Sequence, residues 1–382
     1  MRARHVSQRD FNRRFLHRAR RVVIKIGSQI LSSSEGIEEG RIKELVHDLA
    51  ALHDEGKELV IVSSGAIAAG MTRLGIKERP RTIPQKQAFA AVGQIKLMAL
   101  YESHFSHFKK SVAQVLLTHE DLANRRRYLN AKHTLKTLLE LGIIPIVNEN
   151  DTVAIEEVKF GDNDHLSSLV ATLLEADLLV MLSDVDGVYD RDPRLHADAQ
   201  LIPVISDLKG FKKGLPGGSQ GPYGTGGISS KIAAAEKAAT SGIPTVIVNG
   251  MGGILPRLFN AEDEVGTLVL PEESRLASRK HWIAYNLKPS GEIVVDHGAY
   301  EALVHKGKSL LPSGLREVRG SFGVGECVRC LDSQGREFAR GLVNYSAEEL
   351  NHIKGLHTAR IAKVLGYKAY DEVIHRDDFV LL

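Results

Sequence analysis

The sequence predicts an α/β protein, an open and mainly parallel sheet sandwiched by helices, followed by a small β-rich domain. Three observations carry this. From Arg21 to about Leu270, short apolar runs alternate with helical segments. The runs are continuously apolar, the mark of strands covered on both faces of a parallel sheet. Near Pro271 the composition shifts, and short strand-like runs punctuated by Gly and Pro take over.

The elements follow in order. Val22–Ile26 is the first strand and ends in Lys25-Ile26-Gly27-Ser28. A helical pattern covers Ile42 to His53, and Leu59–Val62 is the second strand. Pro80 and Pro84 mark a loop before a long helix, Gln85 to Tyr101. Val112–Leu117 is a strand, Arg127 to Leu141 a helix, and Ile143–Val147 a strand that runs into Asn148-Glu149-Asn150-Asp151. Gly161-Asp162-Asn163-Asp164-His165 opens a helix over Leu166 to Leu174, where an acidic residue such as Asp162 is a good cap. Leu178–Leu182 and Thr245–Val248 are strands, with a helix over Lys231 to Ser241 between them. Lys209 to Gly227 is rich in Gly and Lys and reads as a mobile lid. Arg275 to His281 is charged and reads as a linker. Glu292–Val295, Cys327–Leu331 and Arg340–Tyr345 are the strand candidates of the second domain. The resulting division is a basic N-terminal extension at 1–20, an α/β domain at 21–270, a linker at 271–289 and a β-rich domain at 290–382.

Composition narrows the class. The 382 residues are 43% apolar and 25% charged, an ordinary globular profile. The net charge of +3 is too small to imply nucleic acid by itself. It is uneven: Arg2, Arg4, Arg9, Arg13, Arg14, Arg18, Arg20 and Arg21 face one acid, Asp10, within the first 21 residues. This arm lacks an apolar core and does not read as a secretory signal. It reads as a flexible or loosely docked extension, with Phe11, Phe15 and Leu16 available for docking. No apolar stretch is long enough to span a membrane. Cys327 and Cys330 form a lone C-x-x-C. In a strand their side chains point to opposite faces, which disfavours a metal or redox pair. So few cysteines suit a reducing cytoplasm.

Two lysines beside glycine turns stand about two hundred residues apart. Lys25 closes an apolar strand before Gly27. Lys231 ends Gly224-Thr225-Gly226-Gly227-Ile228-Ser229-Ser230-Lys231, just before an Ala-rich helix. A glycine turn lets backbone approach a phosphate, and a helix N-terminus offers free N–H groups. Neither segment is a Walker loop or a protein-kinase loop. Taken singly, each lysine also fits a solvated charge beside a turn. Asn163 and Asp164 at a helix start, and Asp151 at a strand's carboxyl end, are where ligands bind in open α/β sheets. Together these segments point to a protein that grips a phosphoryl group from two sides.

Residues 21–270 resemble the amino-acid kinase family, and within it the glutamate 5-kinases. The matching segments are Val23 to Ser28, Val62-Ser63-Ser64-Gly65-Ala66-Ile67-Ala68-Ala69-Gly70, Ala91 to Gln94, Val147 to Asp151, Gly161 to Asp164, Leu182 to Asp184, Gly187 to Tyr189 with Asp192 to Arg194, and Gly224 to Gly227 with Lys231. Residues 290–365 resemble a PUA domain, through Gly291 to Ala299, Lys308 to Pro312, Gly320 to Phe322 and Gly341 to Val343. The arginine-rich arm departs from the pattern.

The resemblance implies MgATP-dependent phosphorylation of the side-chain carboxylate of L-glutamate, at the start of proline synthesis, with L-proline as feedback inhibitor and a homo-oligomer, dimer or tetramer. It implies catalytic roles for Lys25, Lys231 and Asp164, the carboxylate orienting both lysines. Ser64, Gly65, Asp151 and Asn163 take the glutamate positions. Lys25, Ser183, Asp184 and the run Thr225, Gly226, Gly227, Ile228, Ser229, Ser230 and Lys231 take the nucleotide positions. Magnesium is expected to bridge phosphate oxygens with few protein ligands. A carboxylate acceptor is already ionised near neutral pH and needs no general base. The task is to bring an anion to a polyanion, which is positioning and charge neutralisation. Other enzymes of this fold, such as acetylglutamate, aspartate, uridylate or carbamate kinases, are the first alternative. An RNA-binding role through the PUA-like domain is the second, disfavoured by the absence of a dense basic patch with interleaved aromatics.

Overall fold

The computed structural model describes residues 13–33, 36–154, 162–208, 210–211, 227–260, 264–271, 280, 283–284 and 287–382. The chain divides into two compact units, Met1–Glu272 and Glu273–Leu382.

The first unit is built on an eight-stranded sheet. Its strands are β1 (Arg21–Ile26), β4 (Glu58–Ser63), β5 (Val112–Leu117), β6 (Ile144–Glu149), β7 (Leu178–Ser183), β8 (Val204–Ile205), β9 (Thr245–Asn249) and β10 (Thr267–Val269). Their order is β5-β6-β4-β1-β7-β9-β10-β8. Every pairing is parallel except β9 with β10. A small hairpin, β2 (Ser32–Ser33) with β3 (Gly36–Ile37), stands apart. The six strands read from the sequence are all present within one to two residues of the expected ends. β8 and β10 were not expected, because two or three residues leave no run to read.

Alternation along each strand feeds two cores. Val22, Ile24, Ile26, Leu59, Ile61, Ile144 and Ile146 pack on one face with the helices Glu39–Asp54 and Ile83–Ser106. Val23, Val60, Val62, Val147, Leu179 and Met181 pack on the other, with the helices Asp162–Leu174 and Gly227–Thr240. Helices begin earlier than their apolar patterns suggest, because polar caps and first-turn residues carry no periodicity. Ile83–Ser106 starts with Pro84 in its first turn, where the missing N–H is harmless, and Thr82 and Gln85 form a capping box. Ile143 belongs to the preceding helix end, its N–H donating to Leu138 O at 2.9 Å. β6 instead runs on through Asn148 and Glu149, which pair with Leu116 and Leu117.

The N-terminal arm is docked from Arg13 onward. The guanidinium of Arg13 donates to Val265 O, to Pro203 O at 2.7 Å and to Gly266 O at 3.0 Å. Leu16 is buried, and Lys57 Nζ donates to His17 O and Ala19 O at 3.0 and 3.1 Å. Phe11, most of the lid from Lys209 to Gly227 and most of the linker from Arg275 to His281 lie outside the described residues.

The second unit holds a five-stranded sheet in the order β12-β11-β13-β14-β15: β11 (Gly291–Val295), β12 (Leu315–Gly320), β13 (Cys327–Leu331), β14 (Glu337–Leu342) and β15 (Phe379–Leu381). β14 lies three residues earlier than Arg340–Tyr345. Asn344 and Tyr345 leave the ladder to bond the chain near Tyr370 to Val373. Cys327 and Cys330 are buried in different apolar clusters, on opposite faces of β13.

Candidate functional site

The carboxyl ends of β1, β4, β6 and β7 open into one cavity of about 980 Å³. Its walls include Lys25, Ser64, Gly65, Asp151, Asn163, Asp164, Ser183, Asp184, Gly227, Ile228, Ser230 and Lys231. Ser229 lies in the first turn of the Gly227–Thr240 helix, outside that wall, and Thr225 and Gly226 lie outside the described residues. The cap expected of Asp162 concerns a side chain outside them as well.

Strand alternation sets the charged end. Lys25 shares its face of β1 with Val23, so it points toward the helices Asp162–Leu174 and Gly227–Thr240. There its Nζ pairs with Asp164 Oδ1. Lys231 Nζ stands 3.7 Å from Asp164 Oδ2, and Ser230 Oγ donates to the same oxygen at 2.5 Å. All three charged groups are buried, Lys25 at 5%, Asp164 at 1% and Lys231 at 7% exposure. Burial lowers the Lys231 pKa, Asp164 works against that fall, and Lys25 adds to it. Lys231 also donates to Gly227 O at 2.9 Å, back across its own first turn. Gly27 packs closely behind: its N–H donates to Leu182 O at 3.2 Å.

At the other end the side-chain amides are tightly bonded. Asn148, at the end of β6, faces the same side as Ile144 and Ile146, toward the helix Ile83–Ser106. Its Nδ2 donates to Gln94 Oε1 at 2.8 Å, and its Oδ1 accepts from Glu149 N–H and Asn163 Nδ2, both at 2.9 Å. Asn163 Nδ2 also reaches Ser63 O and Ser64 Oγ, both at 3.0 Å. Asn163 Oδ1 and Gln94 Nε2 are buried without a hydrogen-bond partner among the described residues. Below them Ser63 Oγ meets the buried Tyr101 hydroxyl at 3.0 Å, and burial pushes the Tyr101 pKa up.

Three glycines let the wall form. Gly65 sits at φ +99°, a left-handed conformation that starts the helix Ala66–Leu74. That helix crosses Ile83–Ser106 backbone to backbone. A Cβ at Gly93 would lie 1.8 Å from Ala66 O, and one at Gly70 would lie 2.0 Å from Phe89 O. Sequence reasoning quoted Ala91 to Gln94 without assigning it a task. Its signal was a glycine followed by a polar residue inside an otherwise well-formed helix. Arg41, Arg79 and Lys86 also line the cavity and were not singled out; Tyr189 and Arg194, which the family-matching segments include without an assigned role, line it too. Arg194 donates in bidentate fashion to Asp192, at 3.0 and 2.8 Å.

Residues 20–249 match the amino acid kinase family profile, and residues 291–365 match that of the PUA domain. Curated relatives extend along almost the whole chain. Glutamate 5-kinase of Pelobacter propionicus is 51% identical, over 97% of this chain and 100% of its own. Glutamate 5-kinase of Geobacter sulfurreducens is 50% identical, over 96% and 99%. That of Caldanaerobacter subterraneus subsp. tengcongensis is 50% identical, over 95% and 98%. With this identity along both units, the chain belongs to the amino acid kinase family, in its glutamate 5-kinase branch, and carries a C-terminal PUA domain.

Proposed function

We infer that the chain transfers the γ-phosphoryl group of ATP to the side-chain carboxylate of L-glutamate, forming L-glutamyl 5-phosphate, the first step of proline biosynthesis. The observation that carries this is one buried carboxylate, Asp164, held between two buried lysines at the edge of the cavity. The full-length relatives named glutamate 5-kinase support the same reading.

In this reading the glutamate carboxylate oxygen forms a bond to the γ-phosphorus while the bond to the β,γ-bridging oxygen breaks. The electron pair leaves with ADP, and no proton has to move. Lys25 and Lys231 neutralise the transferring group, and Asp164 keeps both ammonium groups aimed at it. Ser64, the Gly65 backbone and Asn163 receive glutamate, and Asp151 accepts from its ammonium group. That pairing favours a free amine over an acetylated one. Ser183, Asp184 and the segment from Thr225 to Lys231 hold the nucleotide. Magnesium would supply further charge neutralisation on the phosphates, and Asp184, on the cavity wall, would be available to give it a hard oxygen ligand.

L-Proline is proposed to inhibit at a site overlapping that of glutamate, and the chain to work as a homo-oligomer, dimer or tetramer, in the cytoplasm. Among the described residues no helix is long and apolar enough to cross a membrane. The proposed division is the extension 1–20, the kinase domain 21–270, the linker 271–289 and the PUA domain 290–382. RNA is not a proposed partner. A coupled ADP-release assay with glutamate, acetylglutamate, aspartate and UMP tests the activity. Turnover confined to glutamate is expected, and turnover with another acceptor alone overturns the reading.

A further inference from the structure

We propose that Gln94 is a positioning residue for the glutamate end of the cavity, acting through Asn148 on Asn163. The proposal rests on the activity inferred above and assigns a task to a side chain that is not among the cavity-lining residues.

Three amides stand in series from the helix Ile83–Ser106 to the cavity wall. Gln94 Oε1 accepts from Asn148 Nδ2 at 2.8 Å, and Asn148 Oδ1 accepts from Asn163 Nδ2 at 2.9 Å. Gln94 and Asn148 are both buried, at 9% and 2% exposure, so neither can exchange its partner for bulk water. Asn148 Oδ1 is claimed by Glu149 N–H and Asn163 together, which turns Nδ2 away from the cavity. The acceptor it meets there is Gln94 Oε1. Without it, a buried amide donor is stranded, and the side chain rotates to recover a bond. Rotation of Asn148 removes an acceptor from Asn163 Nδ2. Asn163 Nδ2 then keeps only Ser63 O and Ser64 Oγ, both on the β4 side, and its Oδ1, buried and unbonded in this state, is held less firmly on the cavity wall.

The place of Gln94 is itself fixed by backbone. It follows Gly93, whose missing side chain lets the helix lie against Ala66 and Gly70. The crossing that starts at Gly65 therefore also sets how far Gln94 reaches toward β6. The charged end takes no part in this series. Lys25, Asp164, Ser230 and Lys231 bond one another through other atoms. The effect should fall on glutamate and spare ATP.

The test is steady-state kinetics of wild type, Gln94→Met and Gln94→Glu, with glutamate and ATP varied in turn. Met keeps the length and helix preference but has no strong acceptor, whereas Glu restores an oxygen toward Asn148. Gln94→Met is expected to raise the glutamate KM about 10- to 100-fold, with the ATP KM within about 2-fold and kcat within about 3-fold. Gln94→Glu is expected to recover most of the glutamate KM. If Gln94→Met does not fold, Gln94→Asn, which draws the acceptor back while staying polar, is read in the same way. An unchanged glutamate KM, or equal rises in both KM values, overturns the positioning role. A wild-type chain that does not turn over glutamate overturns the activity itself, and the proposal with it.

Discussion

Replacing Asp164 by Asn probes the charged end most directly, because it removes one charge and almost no volume. Asp164 is 1% exposed and stands between two ammonium groups that are themselves buried. At the 3.7 Å separation from Lys231, and an effective dielectric near 20, the attraction is about 4–5 kcal/mol. Burial and Lys25 already push the Lys231 pKa down, and Asp164 is the largest influence holding it up. Without the carboxylate the amine loses its proton at lower pH. Transfer requires the ammonium form, so activity should fall as pH rises through the lowered value. The descending alkaline limb of kcat/KM for ATP reports the free enzyme. In wild type it should lie below the ordinary lysine range, and in Asp164→Asn it should move further toward neutrality. Turnover at pH 7 should fall about 100-fold or more, since two unpaired lysines also repel each other out of line. ADP release coupled to NADH oxidation, read from pH 6 to pH 10 in steps of about half a unit, measures both. An alkaline limb unmoved from wild type, with turnover within about tenfold, would refute the idea that Asp164 keeps Lys231 charged and both lysines aimed.

Lys231→Ala should lower kcat about 100- to 1000-fold with the glutamate KM changed only a few-fold, and Lys25→Ala should behave likewise. Near-normal turnover in either removes the two-lysine clamp. Asp151→Ala should raise the glutamate KM about tenfold or more, leave the ATP KM in place and abolish inhibition by proline. A raised ATP KM instead would put Asp151 on the other side of the site. Gly93→Ala sets a methyl group 1.8 Å from the Ala66 carbonyl oxygen, a backbone atom that cannot swing aside. It should cost about 2 kcal/mol or more in urea unfolding and raise the glutamate KM. An unchanged midpoint would mean that the two helices separate freely.

The parallel sheet was legible because its strands are buried on both faces, so Val22 to Ile24 or Leu178 to Leu182 read as unbroken apolar runs. The same criterion stops at polar residues, which is why β6 looked as though it ended at Val147. Asn148 and Glu149 still carry ladder bonds opposite Leu116 and Leu117. Residues expected at the site meet at one cavity because most of them sit just past strand ends or at helix starts, places that sequence marks with Gly, Ser, Asn and Asp. Gln94 had no such marker. It lies in mid-helix, and its partner Asn148 is 54 positions away, so only the crossing of Gly70 and Gly93 with neighbouring backbone brings the two together. In the basic arm the sequence offered Phe15 and Leu16 for docking but gave no sign of Arg13, whose guanidinium meets three backbone carbonyl groups and which is 5% exposed.

Asn163 and Asp164 are consecutive, and this adjacency governs how the two ends of the cavity work together. Successive residues on a helix point about 100° apart, so one side chain can meet the amide series while the next meets the lysines. Asn163 is tied to Ser63, Ser64 and Asn148, on β4 and β6, and Asp164 to Lys25 on β1 and Ser230 on the Gly227–Thr240 helix. One peptide unit thus joins the amide series to the lysine cluster, to which the proposed function gives the acceptor and the transferred group respectively. Any slide of the Asp162–Leu174 helix displaces both at once. Near-attack geometry tolerates little such error, since a misplacement of about 1 Å can lower the rate about 100-fold. The interior of that helix is correspondingly anchored: Leu166, Val170, Ala171, Leu173 and Leu174 are all buried against the sheet and the neighbouring helices. Its apolar face therefore sets the distance between the two reacting ends, and substitutions such as Val170→Ala, far from either ligand, should lower kcat along with stability.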